Sequence, residues 1–334
     1  MEISKTSIIL KSLEKEAGCK ILLEPNYNLV GQISFGDNRK FYFRNTSLDI
    51  NNFGAAEIAK DKDYTRFFMK QMGFKIPRGA TFFSEYWCNV NNSTNNSEGA
   101  IKFASELGFP LIVKPNNKSQ GEDVYKVYSI KQFLRVTKRL FKKHHIILIE
   151  EFVPGDDYRI VIFDNKAEMA YRRKPLSIIG DGKLSISELL NLKLKSLVKT
   201  GRHVSINTDD ERIKDRLKHF YKIRSNNTPE KDVEIILLDN ANLSTGGDVV
   251  EVTDSIHNSY ILKSVELTKS MGLRFAGVDL ITQDDITQPI NNHKFIELNS
   301  SPGLSHFASL GQKTESKVKN LYLEILNNLK RMVI

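Results

Sequence analysis

The stretch FIELNSSPG, residues 295–303, sets a carboxylate and an amide two residues apart at the end of an apolar run. Phe295, Glu297 and Asn299 alternate with Ile296 and Leu298, the period-two pattern of a strand. Glu297 and Asn299 then share a face, about 7 Å apart along the strand. Two hard oxygen donors so placed suit a cation such as Mg²⁺. An edge strand with a wet outer face fits the same residues, and this stretch alone favours that plainer reading.

Four other segments carry chemistry. The strand FAGVDLIT precedes HKFIELN across a loop rich in Asp, Gln and Asn. Antiparallel pairing across that loop brings Asp279 beside Glu297 and Asn299, an oxygen set for Mg²⁺ on a nucleotide. Lys114 ends the strand LIVKP and leads into NNKSQGEDV, which contains Gly121. A strand-end Lys and a polar loop can hold phosphates by charge and backbone N–H groups; a hairpin turn is the plain alternative. In LIEEFVPGDDYRI a strand ends in two acids and runs through Phe152 and Val153 into Pro154-Gly155. A purine fits such a hinge, its edge read by backbone groups and one carboxylate. ANLSTGGDV, residues 241–249, has the small hydroxylated residues and paired glycines of an anion nest. None of these follows the spacing of a GxGxxG or Walker loop, so Rossmann and P-loop readings fail.

The elements that must position these residues follow from periodicity. A helix is expected over 5–17, short strands in KILLEP, NLVGQISF and KFYFRN, and one helix over 55–72 stopped by Gly73 and Pro77. NVNNSTNNSE, residues 89–98, reads as a polar, poorly ordered loop. A helix over 99–107, strands FPLIVKP and KVYSI, a helix over 130–143 and the strand HIILIEEFV complete an α+β unit over about 77–153. YRIVIF and AEMAYRRKP read as a hairpin across Asp164-Asn165. Then come a polar excursion over 180–230, strands VEIILLD and DVVEVTD, a helix over 257–271, the two metal-bearing strands and a helix over 314–332. Two α+β units joined near residue 153 leave a cleft, a usual place for a ligand.

At 334 residues the chain has room for an ample core, and 40% apolar with 27% charged residues is globular composition. No run approaches a membrane span, and the apolar patch near the start is too short for a signal peptide. Cys19 and Cys88 lack CxxC spacing, which argues against a disulfide framework or zinc site. A cytoplasmic protein with no membrane partner is expected. The net charge of +9 asks for an anion. No nucleic-acid module signature is present, so nucleic acid is not expected. A polyphosphate or acidic small molecule accounts for the charge equally well. Lys138, Arg139, Lys142 and Lys143 read as the solvated face of an amphipathic helix.

In this order the segments resemble the ATP-grasp superfamily, and within it the ATP-grasp domains of cyanophycin synthetases and bifunctional glutathione synthetases. The matching pieces are AKDKDYTRFFMKQMGFKIP, GFPLIVKP, EEFVPGDDYRIVIF, RRKPLSIIGDGKLSISELL, ANLSTGGDVVEVTD, AGVDL and FIELNSSPGL. The tail ELNSSPG also resembles D-alanine–D-alanine ligases. The resemblance implies an α+β ATP-grasp fold. Residues 1–54 would be a reduced N-terminal segment, 55–153 a first subdomain, and 154–334 a second with a mobile insertion at 180–230.

It further implies ATP with Mg²⁺, as two ions, with Mn²⁺ as an alternative. Lys62, Lys114 and the Gly121 loop would bind phosphates. Glu150 would accept from the adenine amino group, Val153 would meet the ring through its backbone, and Asp157 would hold the ribose. Asp279, Glu297 and Asn299 match metal ligands, and Arg159 and Arg173 would steady the transferred phosphoryl group. Ser244, Thr245, Gly246 and Gly247 match a segment that binds substrate carboxylate, and His203 a histidine of the mobile insertion; a surface histidine fits as well.

The implied activity is ADP-forming carboxylate–amine ligation on amino acids or short peptides. A peptide-borne or carrier-borne substrate, or a non-catalytic ATP sensor, are the alternatives. A homo-oligomer is compatible with the sequence. Three departures stand out. Glu122 and Asp123 bring acid to the phosphate loop, Leu238 stands where an Arg commonly precedes NLSTGG, and the halves fused to the domain in those families find no match here.

Overall fold

The computed structural model describes residues 4–199, 202 and 204–332, and the expected first helix is broken in two. α1 (Lys5–Ser12) and α2 (Glu14–Ala17) meet at Leu13, whose side chain is buried in the core. Gly18 closes α2 at φ +62°, a left-handed cap that a Cβ would strain. An antiparallel meander follows: β1 (Cys19–Leu23), β2 (Val30–Phe35), β3 (Lys40–Arg44) and β4 (Ser47–Leu48). In β3, Phe41 and Phe43 are buried while Lys40, Tyr42 and Arg44 are exposed, the alternation of a sheet with one packed face.

The single helix expected over 55–72 is also two, α3 (Phe53–Lys60) and α4 (Lys62–Gln71). Asp61 is extended between them, and its carboxylate accepts from the N–H groups of Asp63 and Tyr64. That N-cap starts α4 on Lys62. Next come β5 (Gly79–Phe83), α5 (Glu85–Asn91), α6 (Ser97–Leu107), β6 (Leu111–Pro115), β7 (Tyr125–Val127), α7 (Ile130–Phe141) and β8 (Ile146–Glu151). Of the segment 89–98, expected as a loop, residues 92–96 are one, while 89–91 end α5 and 97–98 start α6, which Asn96 caps by accepting from the Gly99 N–H. The strands form an antiparallel sheet in the order β5-β8-β6-β7. Phe82, Ala100, Leu111, Val113, Phe133 and Ile149 make its core with α6 and α7.

The second half contains β9 (Asp156–Phe163), β10 (Lys166–Lys174), β11 (Ser177–Ile179), α8 (Ile186–Lys199), α9 (Glu211–Arg216), β12 (Glu234–Ile236) and β13 (Asp248–Glu251). It ends with α10 (Asn258–Ser270), β14 (Phe275–Thr282), β15 (His293–Asn299), α11 (Ser305–Ala308) and α12 (Gln312–Arg331). The main sheet is antiparallel, in the order β13-β10-β9-β14-β15. The expected hairpin of β9 and β10 turns at Asp164, whose φ is +51°.

Strand alternation gives this sheet two different faces. Ile160, Ile162, Ala276 and Val278 face α10 and, unexpectedly, α3 and α4, which bring Ala59 and Met69. By packing, then, α3 and α4 go with the second half of the chain, although sequence order groups them with the first subdomain. On the other face Val161, Phe163, Tyr171 and Phe275 pack beneath α11, α12 and the N-terminal meander. Continuing along those strands at period two, the same face carries Asp157, Arg159, Arg173, Asp279 and Ile281, all lining a cavity. One face is therefore half core and half binding wall.

The excursion 180–230 was expected to be a mobile insertion. Among its described residues, Ile186, Leu190 and Ile213 pack with the flanking Leu176, Ile178 and Leu237 in a core of their own. The Gly180 N–H donates to the Val233 carbonyl and its carbonyl accepts from the Asp232 N–H. Gly182 has φ +72°, and Gly201 lies outside the described residues. Arg135 and Arg139 of α7 pair with Asp215 and Glu211 of this excursion. The basic face of α7 is thus partly a contact surface. Among the described residues no helix is long and apolar enough to cross a membrane.

Candidate functional site

Between the two sheets lies a cavity of about 1000 Å³, and both contribute walls. β14 and β15 pair so that Asp279 lies opposite Glu297 and Gly277 opposite Asn299, as the sequence predicts. Simple alternation in β15 fails, however. Phe295 and Leu298, three apart, are both fully buried, and the pairing register shifts between Asp279 and Leu280. A bulge there aims Ile296 and Glu297 both toward the cavity. Gly277 leaves room for Arg159, whose Nε lies 3.4 Å from where a Cβ would stand.

Asp279 is nearly inaccessible and held by two guanidiniums. Arg159 binds both its oxygens, at 2.6 and 2.7 Å, and Arg173 lies 3.1 Å from Oδ2. Burial pushes its carboxyl up, but the charges of Arg159 and Arg173 outweigh that and hold it below the usual range. Asp157 shares Arg173, at 2.6 Å. There burial raises the carboxyl, Arg173 pulls against it, and the negative charge of Asp279 adds to the net rise.

A carboxylate offers about four lone-pair sites. Three of those on Asp279 are taken by guanidinium, which leaves one for a cation beside Glu297 and the Asn299 amide. Glu297 is partly exposed and pairs with Lys62 at 3.5 Å. No group of three or more His, Cys, Asp or Glu forms a metal site among the described residues. The donor set is two carboxylates and an amide, all oxygen, and it fits Mg²⁺.

Facing this wall are two lysines. Lys62 stands at the first turn of α4, its Nζ bonded to the carbonyls of Asn116 and Lys118. Lys114 is buried, 2.5 Å from Glu150 Oε2. Glu150 Oε1 is bound in turn by Arg66, one helical turn beyond Lys62. Glu150 lines the cavity with only 2% of its surface exposed and with one cation on each oxygen, Arg66 and Lys114. Its carboxylate holds Lys114 in place. Arg66 was missed by sequence reading; only its spacing of four from Lys62 hints at it.

Ile112, Phe152, Val153, Ile281 and Ile296 are apolar residues of the cavity lining, with Lys126 over the Phe152 ring at 3.4 Å. Val153 makes no backbone hydrogen bond among the described residues, so its polar groups are open to a ligand edge. Ile281 had a signal, since it lies two residues from Asp279 on the same face. Ile112 and Ile296 had none.

The loop after β6 closes over the cavity. Gln120, Gly121 and Asp123 all have φ between +54° and +73°. The Gly121 carbonyl accepts from Arg212 at 2.8 Å, and the Gln120 carbonyl from Ser244 Oγ at 2.8 Å. A Cβ on Gly121 would meet the Asn242 amide at 2.0 Å. The acids that looked repulsive in this loop are turned away from it. Asp123 bonds His144, Lys143 and Tyr125, and Glu122 pairs with Lys118.

The NLSTGG segment does not form the expected nest. The N–H groups of Thr245, Gly246 and Gly247 are all spent on the carbonyls of Asn242 and Leu243, and these three residues are buried. Of the four, Ser244 alone lines the cavity. Arg202, another residue sequence reading missed, braces the segment from behind through the carbonyls of Leu243 and Gly247. Leu238 is buried and brings no charge. His203 lies outside the described residues.

The chain is similar in sequence and in fold to known proteins. The family D-ala D-ala ligase C-terminus matches residues 68–185. The chain is 26% identical over 344 residues to the glutathione biosynthesis bifunctional protein GshAB of Enterococcus faecalis, covering 98% of this chain and 43% of that protein. It is 26% identical to the cyanophycin synthetase of Trichormus variabilis, covering 96% and 34%. The chain thus spans less than half the length of these curated relatives. The crystal structure of a bifunctional glutathione synthetase from Pasteurella multocida superposes with a TM-score of 0.60 at 23% identity, over 97% of this chain and 44% of that one. That likeness is one of fold.

Proposed function

We propose that this chain, which has the ATP-grasp fold and belongs to the ATP-grasp superfamily, is an ADP-forming carboxylate–amine ligase acting on amino acids or short peptides. The observation that carries this reading is the opposition of charges across one cavity. Lys62 of α4 and Lys114 of β6 line it together with Asp279, Glu297, Asn299, Arg159 and Arg173 of the main sheet.

In this reading the base lies among Ile112, Val153, Ile281 and Ile296, its edge met by the Val153 backbone, and Asp157 holds the ribose. Lys62, Lys114 and the N–H groups around Gly121 take the phosphates. Asp279, Glu297 and Asn299 would hold the metal, as two Mg²⁺ ions, with Mn²⁺ able to replace them. The metal supplies charge neutralisation for the triphosphate. A substrate carboxylate oxygen forms a bond to the γ-phosphorus while the bridging bond to ADP breaks and its electron pair leaves with ADP. Arg159 and Arg173 steady the transferred group, and the closed 117–123 loop excludes water from the acyl phosphate. An amine then attacks the acyl carbon, phosphate departs, and an amide remains.

The test is product analysis with hydroxylamine as the acceptor. With Mg²⁺, ATP and a panel of amino acids and dipeptides, a hydroxamate and ADP are expected. AMP and pyrophosphate as products would overturn the acyl-phosphate route.

A further inference from the structure

Among the described residues, the lysines and arginines that line the cavity each lie within 4.0 Å of a carboxylate oxygen, with one exception. The exception is Arg44. Its guanidinium makes no ion pair, hydrogen bond or ring contact with any described residue. Its backbone, by contrast, is fixed. Arg44 ends β3, paired with Val30 and Ser47. The Asn45 N–H that follows donates to the Leu29 carbonyl at 2.7 Å. Thr46 Oγ1 donates to the Ser301 carbonyl at 2.9 Å, and Asn51 Nδ2 to the Ser300 carbonyl at 2.7 Å. Ser300 and Ser301 directly follow Asn299. The N-terminal meander is thereby pinned to the strand end that carries Glu297 and Asn299.

A free guanidinium on an open surface needs no account. Arg44 is exposed yet lines the cavity, where the other cations are neutralised locally, and it leaves an uncompensated positive charge at that wall. Its planar fork of donors suits a carboxylate in two-point contact. It stands on the wall made by the meander and the end of β15, whereas the base is placed against β6, the hinge after β8, and β14. We propose that Arg44 is a specificity residue that binds an unreacted carboxylate of the acid substrate. The enzyme then prefers acids with two carboxylates, one phosphorylated and the other held by Arg44. This rests on the ligase reading above and names the substrate class for the same site.

The experiment measures phosphate release with ATP, Mg²⁺ and hydroxylamine, for amino acids and dipeptides bearing two carboxylates and for their monoamides. L-glutamate with L-glutamine and L-aspartate with L-asparagine are two such pairs. Wild-type protein should favour the diacid of a pair. Arg44→Ala should lower kcat/KM for that diacid about 10–100-fold, the size of one charge-assisted pair. The monoamide rate, the KM for ATP and the melting temperature should hold, and Arg44→Lys should restore part of the preference. A wild-type enzyme indifferent to the second carboxylate would overturn the inference. So would an equal fall for acid and amide, or a KM for ATP that rises in step, which would put Arg44 on the nucleotide. Those results leave the ligase reading standing. No phosphate release with any acid in wild-type protein would overturn the ligase reading, and the role of Arg44 with it.

Discussion

Glu150 shows how a residue can be found in the sequence and carry a second role that the sequence does not show. Its position at the end of the strand IILIEE, next to a hinge, is legible in the sequence, but its partners are not. Arg66 comes from α4 and Lys114 from a neighbouring strand, and no local pattern says that three charges meet in one buried cluster. If Glu150 holds Lys114, then Glu150→Gln leaves two buried cations with only a neutral partner. Removing one member of a buried ion pair costs about 3–5 kcal/mol, and retained hydrogen bonding should keep this variant at the lower end. The KM for ATP should rise, and GTP should be affected in the same proportion. Urea unfolding and nucleotide-dependent phosphate release check both parts. A selective loss of the preference for ATP over GTP would place Glu150 at the base.

Among the elements, the hinge between the two sheets has an ionic device that the sequence hid. Glu151 ends β8; its carboxylate accepts from the Arg78 N–H at 2.8 Å and side chain at 2.9 Å, and also binds Lys294 of β15. Burial alone would raise its pKa, but Lys294 and Arg78 bring it down to about 2. An unfolded chain has this carboxyl near about 4.3. A depressed folded pKa stabilises above the unfolded value, and the contribution fades as pH falls from about 4.3 toward 2. Glu151→Gln should therefore destabilise near neutrality by about 1 kcal/mol, allowing for solvent screening. That difference should shrink to nothing near pH 2. Urea midpoints of both proteins along a pH series would show it, and a gap that stayed constant below pH 4 would contradict the assignment. Strand pairing was easier to foresee. Period-two alternation gave Asp279 opposite Glu297, but the β15 bulge did not show, because an extra residue in a strand leaves no compositional mark. The breaks at Leu13 and Asp61 were hidden for a similar reason, since apolar spacing runs through both.

At the scale of the whole molecule, the N-terminal segment belongs to the second half of the chain. Sequence order sets residues 1–54 apart as a short preliminary piece. Packing joins Ile9, Leu10, Ile33, Phe41 and Phe43 to Phe163, Tyr171, Phe307, Leu321 and Tyr322 in one core. Such long-range partnership cannot be read from periodicity, which says only that a face is buried and not against what. The polar ties are equally non-local. Asn51 donates to the carbonyls of Phe275 and Ser300 and accepts from the N–H groups of Arg274 and Phe275. Removing residues 1–52 would uncover Phe163, Tyr171 and Phe307 together and leave those backbone groups of Arg274, Phe275 and Ser300 without their partner. Each large apolar side chain exposed costs about 1.5–3 kcal/mol, so a handful exceeds the roughly 5–15 kcal/mol that holds a domain folded. The truncated chain should lack a cooperative melting transition and bind a hydrophobic dye. The sheet of β5 to β8 has a separate core of Phe82, Phe133 and Ile149, and its amides should keep more of their hydrogen-exchange protection than those of β9, β10 and β14. A truncated protein that melted cooperatively near the intact one would show the meander to be an independent addition to the site.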